Sequence, residues 1–188
     1  MPTRRVLRID NDEDKVVLKT RTRPVKFPNP GLKQLAKDML ETMHIANGVG
    51  LAAPQIGLSH RIAVVYIPPE VEEHEDGTTT ETVPEQIYVL INPEVVKASD
   101  EEEVGLEGCL SLPGWYGDVP RAAWVTVDYQ GLDGKRYRIR KADGLLGRAL
   151  QHEIDHLDGI LFTERIRDLS TLKDYSKEKE AETESAEH

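Results

Sequence analysis

Residues 151–156 read QHEIDH, a pattern typical of a metal site in a hydrolase. His152 and His156 are four positions apart, and side chains with this spacing share one face of a helix, so both imidazoles can bind the same metal ion. Glu153 is rotated from His152 by about 100° and can reach a water on that metal without being a ligand. The pattern therefore predicts metal-assisted hydrolysis with Glu153 moving protons. The alternative is a helix whose two histidines have this spacing by chance.

A catalytic metal of this kind usually has three protein ligands and one water, so a third ligand must come from elsewhere in the chain. Phe162 occupies the position where the extended metzincin motif would need a histidine. Glu164 and Glu178 are downstream carboxylates, whereas Cys109 offers a thiolate, which is a strong ligand for zinc and iron. We favour Cys109, because the preceding glycine lets the backbone approach closely. A buried, unreactive thiol is the alternative for this residue.

Two helices are predicted to help position these groups. The first has Asn29 as its N-cap and Pro30 at its first position, and it ends at Asn47-Gly48. The second covers residues 144–157 and carries the QHEIDH motif. Both show apolar residues at helical spacing: Leu32, Leu35, Ala36, Met39, Leu40 and Met43 in the first, and Leu146, Leu150, Ile154 and Leu157 in the second.

The rest of the chain is predicted to form strands and loops. Short extended segments are expected at 6–9, 16–18 and 160–162, strands at 61–67, 87–91 and 94–98, and a hairpin from 122–130 and 135–141. Residues 48–57 are expected to form a loop of small residues, and the acidic stretch 68–84 a surface loop. Because the strands do not alternate with the helices, the fold class is α+β.

Length and composition narrow the class of protein. The 188 residues predict one catalytic domain over 1–167 and a polar, acidic tail over 168–188. The net charge of −10 argues against a general nucleic-acid binder. No apolar run approaches the roughly 18 residues of a membrane helix, and no signal-peptide core follows the first residues. With a single cysteine there is no internal disulfide, and we expect a cytoplasmic protein.

Three segments resemble the three motifs of the peptide deformylases, in the order in which that family has them. They are GVGLAAPQ at 48–55, EGCLS at 107–111 and QHEIDHLDG at 151–159. The resemblance covers roughly residues 6–167, and three motifs in order make it specific. Residues 68–84 look like an insertion relative to a typical member, and residues 114–117 also depart from the family pattern.

The resemblance implies mixed or antiparallel sheets packed around a central helix that carries the histidine motif. It implies one metal held by Cys109, His152 and His156, typically Fe²⁺ in the cell, with Zn²⁺, Ni²⁺ or Co²⁺ able to replace it. The remaining site residues that it implies are Glu153 as general acid and base, the Gln55 side-chain amide and the Leu110 backbone N–H as donors to the reacting carbonyl, and Gly50 as part of the substrate cleft.

The activity that the resemblance implies is removal of the N-formyl group from formylmethionyl peptides or nascent chains, with release of formate. Association with the ribosome is a further expectation, without direct recognition of nucleic acid and without a membrane partner. Two other functions compete with this one. A zinc peptidase would need a third ligand after His156, and a metal-sensing or metal-storage module would have no use for Glu153 or Gln55 beside the metal.

Several neighbouring residues allow two interpretations each. Glu107 and Arg121 form an ion pair that fixes the cysteine loop, or are unrelated surface charges. Asp155 supports the site by a hydrogen bond, or lies on a solvated helix face. Four more residues line the cleft or simply pack elsewhere: Val49 and Ala149 as walls of an apolar methionine pocket, and Trp115 and Tyr116 at its rim.

Overall fold

Ten strands and three α-helices are present in the computed structural model, which describes residues 4–74 and 79–176. The helices are α1 (Asp12–Leu18), α2 (Leu32–Ile45) and α3 (Gly144–Leu157). The strands are β1 (Gly50–Ala52), β2 (Ile62–Ile67), β3 (Glu70–Glu73), β4 (Thr79–Val83), β5 (Gln86–Ala98), β6 (Glu102–Cys109), β7 (Leu112–Ala122), β8 (Trp124–Gln130), β9 (Arg136–Asp143) and β10 (Lys173–Asp174). Short 3-10 turns cover Ala53–Ile56, Phe162–Glu164 and Leu169–Thr171.

The strands form three sheets, and all pairs between them are antiparallel. A five-stranded sheet has the order β1-β2-β5-β8-β9, a three-stranded sheet has the order β10-β7-β6, and β3 pairs with β4. Helix α3 contacts strands of both larger sheets. The α+β class and the central position of the motif helix are therefore confirmed.

Helix α3 has the predicted bounds, and its apolar face explains its position. Leu150 and Ile154 are buried against side chains of β2, β5 and β8, while Leu157 packs on Ala52 and Ala63. Gly147 lies so close to the end of β9 that a Cβ there would be 2.5 Å from the Ala142 carbonyl oxygen. The backbone of the helix at Gly147 therefore lies directly against the backbone at the end of β9.

Helix α2 confirms the predicted apolar face but begins later than expected. Its N-cap is Gly31, and Asn29 instead accepts a hydrogen bond from the Gly31 N–H through Oδ1 at 3.2 Å. The asparagine therefore stabilises the turn before the helix. The helix ends at Ile45, just before Asn47, whose φ of 53° is left-handed.

Two of the short extended segments were predicted wrongly. Residues 16–18 belong to α1, because Asn11 caps the helix by accepting from the Asp14 N–H and three acidic residues occupy its first turn. Residues 160–162 run into a 3-10 turn that is stabilised by a hydrogen bond from the Leu161 N–H to Glu164. Residues 6–9 form no sheet strand, although the N–H groups of Leu7 and Ile9 bond to the backbone of the 3-10 and β6–β7 turns.

Other differences concern the sheets. Residues 48–57 contain β1 and a 3-10 turn rather than only a loop, and the acidic stretch 68–84 contains the β3–β4 hairpin. Strand β5 continues through Asn92, where a bulge with a φ of 52° replaces the expected break between two strands. The β8–β9 hairpin is confirmed. The β6–β7 hairpin was not predicted, because its glycines and prolines hide the alternation typical of strands.

The chain continues to pack on the domain after residue 167. The last 3-10 turn contacts β7, and β10 adds to the edge of β7. The domain boundary at 167 stays a prediction, and residues 177–188 of the expected tail lie outside the described residues. In the described part of the chain, no helix is long and apolar enough to cross a membrane.

Gly147→Ala should destabilise the protein, although alanine favours helices, because the new Cβ would collide with the β9 backbone. We expect a loss of about 1–3 kcal/mol, typical of overpacking. The matched control is Gly31→Ala, where a Cβ meets only Asn29 Oδ1 at an ordinary 3.6 Å. Urea unfolding of both variants measures the difference, and an unchanged or higher stability of Gly147→Ala would contradict the described packing.

Candidate active site

Three side chains that could bind a metal meet between β6 and α3. Ligand atoms of Cys109, His152 and His156 all lie within 4.8 Å of one another. His156 Nε2 is 3.2 Å from Cys109 Sγ and 3.2 Å from His152 Nε2. Cys109 ends β6, and the two histidines are on one face of α3. A helix and a strand end therefore supply the donor atoms.

The chemistry of this group fits a divalent metal. Burial opposes ionisation of Cys109, but the positive charge of His156 and hydrogen bonds to both histidines hold the pKa of the thiol well below its usual value. Burial also opposes protonation of His152, yet hydrogen bonds to Cys109 and Glu107 raise its pKa to about 10. The cluster therefore attracts positive charge. One thiolate and two imidazoles are a donor set for zinc and iron and leave a position open for reactants.

Glu107 fixes the orientation of His152. Its Oε2 lies 2.9 Å from His152 Nδ1, so the carboxylate directs Nε2 of that ring towards Cys109. Arg121 donates to both carboxylate oxygens at 2.9 Å, and Arg148 donates to Oε1 at 2.8 Å. Glu107 and Arg121 are both buried. The predicted ion pair between them is therefore present, and it supports a histidine as well as the cysteine loop.

Asp155 extends this network away from the cluster. It pairs with Arg121, and Arg165 donates to both of its carboxylate oxygens, at 3.0 and 2.6 Å. Asp155 is buried, so it does not lie on a solvated face, and its side-chain hydrogen bonds go to Arg121 and Arg165. It supports the site through Arg121.

Glu153 is in a different environment from Glu107. Its side chain is buried, and Oε2 has no hydrogen-bond partner among the described residues. Burial raises its pKa to about 7, although His152 and His156 oppose this shift. Gly50 lies against the carboxylate so closely that a Cβ at this position would collide with it. Glu153 thus has the pKa of a group that can exchange protons near neutral pH.

Gln55 has its amide group held in one orientation. Its Oε1 accepts from the Ala52 N–H at 2.8 Å, while Nε2 lies 3.2 Å from Ser111 Oγ and 3.5 Å from Cys109 Sγ. The donor end of the amide therefore faces the cluster. Ser111 is fully buried. Leu110 lies in the turn directly after Cys109.

A cleft of about 460 Å³ opens onto the cluster. Cys109, His152 and Glu153 line it together with Gly50, Gln55 and Leu110. The four residues with two interpretations, Val49, Ala149, Trp115 and Tyr116, also line this cleft. The structure therefore brings every predicted site residue except His156 to the cleft wall, and His156 is buried with its Nε2 at 3.2 Å from both Cys109 Sγ and His152 Nε2.

The other candidate ligands are not part of the cluster. Glu164 forms an ion pair with Lys19 at 2.7 Å and bonds to the Leu161 N–H. Glu178 lies outside the described residues. Sequence reasoning missed Arg148 as a partner of Glu107, although its position four residues before His152 places it on the same helix face.

Comparisons with known proteins decide the family. The family model for polypeptide deformylase matches residues 5–171. The chain belongs to the peptide deformylase family. It is 73% identical to the peptide deformylase of Roseiflexus sp. (strain RS-1), over 95% of this chain and 96% of that protein. It is 63% identical to the peptide deformylase of Chloroflexus aggregans, over 97% of each chain.

Solved structures of peptide deformylases share the fold. The class I type b enzyme from Acinetobacter baumannii, bound to Met-Ala-Ser, is 37% identical, with a TM-score of 0.72 over 88% of this chain and 99% of that chain. The enzyme from Thermotoga maritima is 33% identical, with a TM-score of 0.74 over 89% of this chain and 100% of that chain. Deformylases are metal-dependent hydrolases that remove the N-formyl group from the N-terminal formylmethionine of new proteins and release formate, and this chain is such an enzyme. The peptidase and metal-storage alternatives are thereby excluded.

Glu107→Gln should weaken metal binding by about 10- to 100-fold, the usual scale for a partner that orients a ligand. The amide keeps the shape of the carboxylate, but its NH2 group is a hydrogen-bond donor and would face the N–H donors of Arg121, Arg148 and His152. Cys109→Ser should weaken binding further, because a hydroxyl is a poor replacement for a thiolate. Glu103→Gln, exposed on the same strand, is the matched control. Competition with a chromogenic chelator measures the affinities, and a Glu107→Gln affinity equal to that of the control would contradict the role of Glu107.

Proposed function

We propose that Cys109, His152 and His156 hold the metal of this deformylase and that Glu153 is its general acid and base. The convergence of the three ligand atoms within 4.8 Å, beside a buried carboxylate in the same cleft, carries the proposal. The unpartnered Oε2 of Glu153 supports it. Burying a carboxylate oxygen without a donor costs stability, and a catalytic role explains why such a group is kept.

When bound, a divalent metal lowers the pKa of a water ligand from 15.7 to about 7 and polarises a carbonyl group. Glu153 takes the proton from the attacking water and hands it to the departing amine. A group with a pKa near 7 does both at neutral pH. Gly50 leaves the Glu153 carboxylate room at the cleft wall, since any side chain there would displace it.

Gln55 and Leu110 act on the developing oxyanion. The Gln55 Nε2 is already aimed at the cluster by the bonds of the same amide to Ala52 and Ser111. The Leu110 backbone N–H follows Cys109 in the turn and supplies a second donor. Donors fixed before the reaction need no reorganisation as the charge develops, which is the basis of their catalytic effect.

The substrate binds in the cleft that these residues line. Val49 and Ala149 offer apolar surface at the cleft wall for a methionine side chain. The Acinetobacter baumannii relative is bound to Met-Ala-Ser, a peptide that begins with methionine. We propose nascent chains in the cytoplasm as the substrates, with the enzyme acting at the ribosome.

Glu153→Ala should leave the metal and the fold intact and nearly abolish kcat, because no nearby group replaces it in proton transfer. Gln55→Ala should lower kcat by about a hundredfold or more, the scale for one oxyanion donor, with KM changed much less. Gln55→Glu should be worse, because a carboxylate repels the developing charge. Steady-state kinetics on a formyl-Met peptide, with metal content checked, measures these effects. A Gln55→Ala enzyme with normal kcat and raised KM would show that Gln55 only binds substrate.

For the native metal we propose Fe²⁺, with Zn²⁺, Ni²⁺ or Co²⁺ as replacements that the same donor set accepts. Handling in air should inactivate the iron form, because both Fe²⁺ and the Cys109 thiolate can oxidise. The nickel form should survive the same treatment. Activity is followed over time in air after loading the metal-free protein with each ion. Equal half-lives of the two forms would contradict the proposal of iron.

A further inference from the structure

The last described residues of the chain pack against one wall of the cleft. Strand β10 pairs with β7 so that Lys173 is opposite Tyr116 and Asp174 is opposite Trp115. The next residue, Tyr175, donates its backbone N–H to the Gly114 carbonyl at 2.8 Å. The chain therefore follows the edge of β7 along the stretch that contributes Gly114, Trp115 and Tyr116 to the cleft.

Tyr116 lies directly against the backbone beside the metal cluster. A Cβ at Gly108 would be 2.5 Å from Cε1 and 2.7 Å from Cδ1 of the Tyr116 ring. Gly108 immediately precedes Cys109, and all three residues line the cleft. The Tyr116 ring is therefore packed against the backbone that leads into Cys109.

Tyr175 packs against the same ring. The Tyr116 and Tyr175 ring centroids are 5.8 Å apart at an interplanar angle of 77°, an edge-to-face pair. Such pairs stabilise their arrangement beyond the burial of area. Tyr175 is itself half-buried and is not among the residues that line the cleft. Tyr175 therefore contacts a residue of the cleft wall without lining the cleft itself.

We propose that Tyr175 is a positioning residue for substrate binding, which acts through Tyr116 to set the width of the cleft beside Cys109. Residues 173–175 then support the wall of the cleft that β7 provides. This inference rests on the proposed function, because it assumes that the formylated peptide binds in this cleft. Tyr175 does not touch the reacting atoms, so its loss affects binding rather than the chemical step.

The steady-state constants should show an effect on substrate binding and not on the chemical step. Tyr175→Ala removes the edge-to-face contact with the Tyr116 ring, and we expect KM for a formyl-Met tripeptide to rise about three- to tenfold, the scale of one aromatic pair. The value of kcat should stay within about twofold, because the metal ligands, Glu153 and Gln55 are untouched. Tyr175→Phe keeps the ring and should keep the wild-type KM. Tyr175→Leu keeps apolar volume without the ring and should resemble Tyr175→Ala.

The experiment uses the metal-loaded full-length enzyme and these three variants. A chain that ends at Asp174 keeps the residues of β10 but loses both the Tyr175 ring and its N–H bond to Gly114, so its KM should rise at least as much as that of Tyr175→Ala. Lys173→Ala, exposed on the same strand, is the matched control and should behave as wild type. Metal content and Tm are measured for each protein alongside kcat and KM.

Each outcome decides one question. A wild-type enzyme without deformylase activity defeats the proposed function itself. With an active wild type, an unchanged KM in Tyr175→Ala, in Tyr175→Leu or in the shortened chain overturns the role of Tyr175. A Tyr175→Phe variant as impaired as Tyr175→Ala also overturns it, because the ring would then not be the relevant group. A fall in kcat at constant KM would show general damage to the fold and overturn it as well.

Discussion

The site depends on the buried carboxylate of Glu107. It lies two residues before Cys109 on β6, and it accepts hydrogen bonds from Arg121 on β7 and from Arg148 and His152 on α3. One group thus joins the strand that carries the thiol to the helix that carries the imidazoles. Burial raises the pKa of Glu107, but Arg121 and His152 more than offset this and hold it well below its usual value. Removing one partner from such a buried pair typically costs about 3–5 kcal/mol.

Glu107 and Glu153 are both buried beside the metal cluster, and their different surroundings give them different roles. Glu107 is buried, accepts hydrogen bonds from Arg121, Arg148 and His152, stays ionised and holds His152 in place. Glu153 is buried without a donor on Oε2, and its pKa rises to about 7. The same side-chain chemistry therefore supplies a fixed support in one place and an exchangeable proton in the other.

The site also depends on glycines at which a neighbouring group lies too close to leave room for a side chain. At Gly147, helix α3 lies close to the Ala142 carbonyl at the end of β9, and a side chain at this position would push the start of the helix away from the strand. Gly50 makes room for the Glu153 carboxylate, and Gly108 for the Tyr116 ring. Because glycine occupies these positions, residues from β1, β6, β7 and α3 can come together around one cleft.

The sequence by itself determined the α+β class, the bounds of α3 and the pairing of His152 with His156, because helical spacing is a local property of the chain. It favoured Cys109 over the downstream glutamates as the third ligand, and the resemblance to a known family implied the same residue. Only the tertiary structure decided that residues 48–57 contain a strand, that β6 and β7 form a hairpin and that Arg148 supports Glu107. Arg148 and Glu107 are 41 positions apart, and no local pattern encodes a contact of that range. Such contacts form because burial of α3 between the sheets forces distant charged groups together, where each must find a partner.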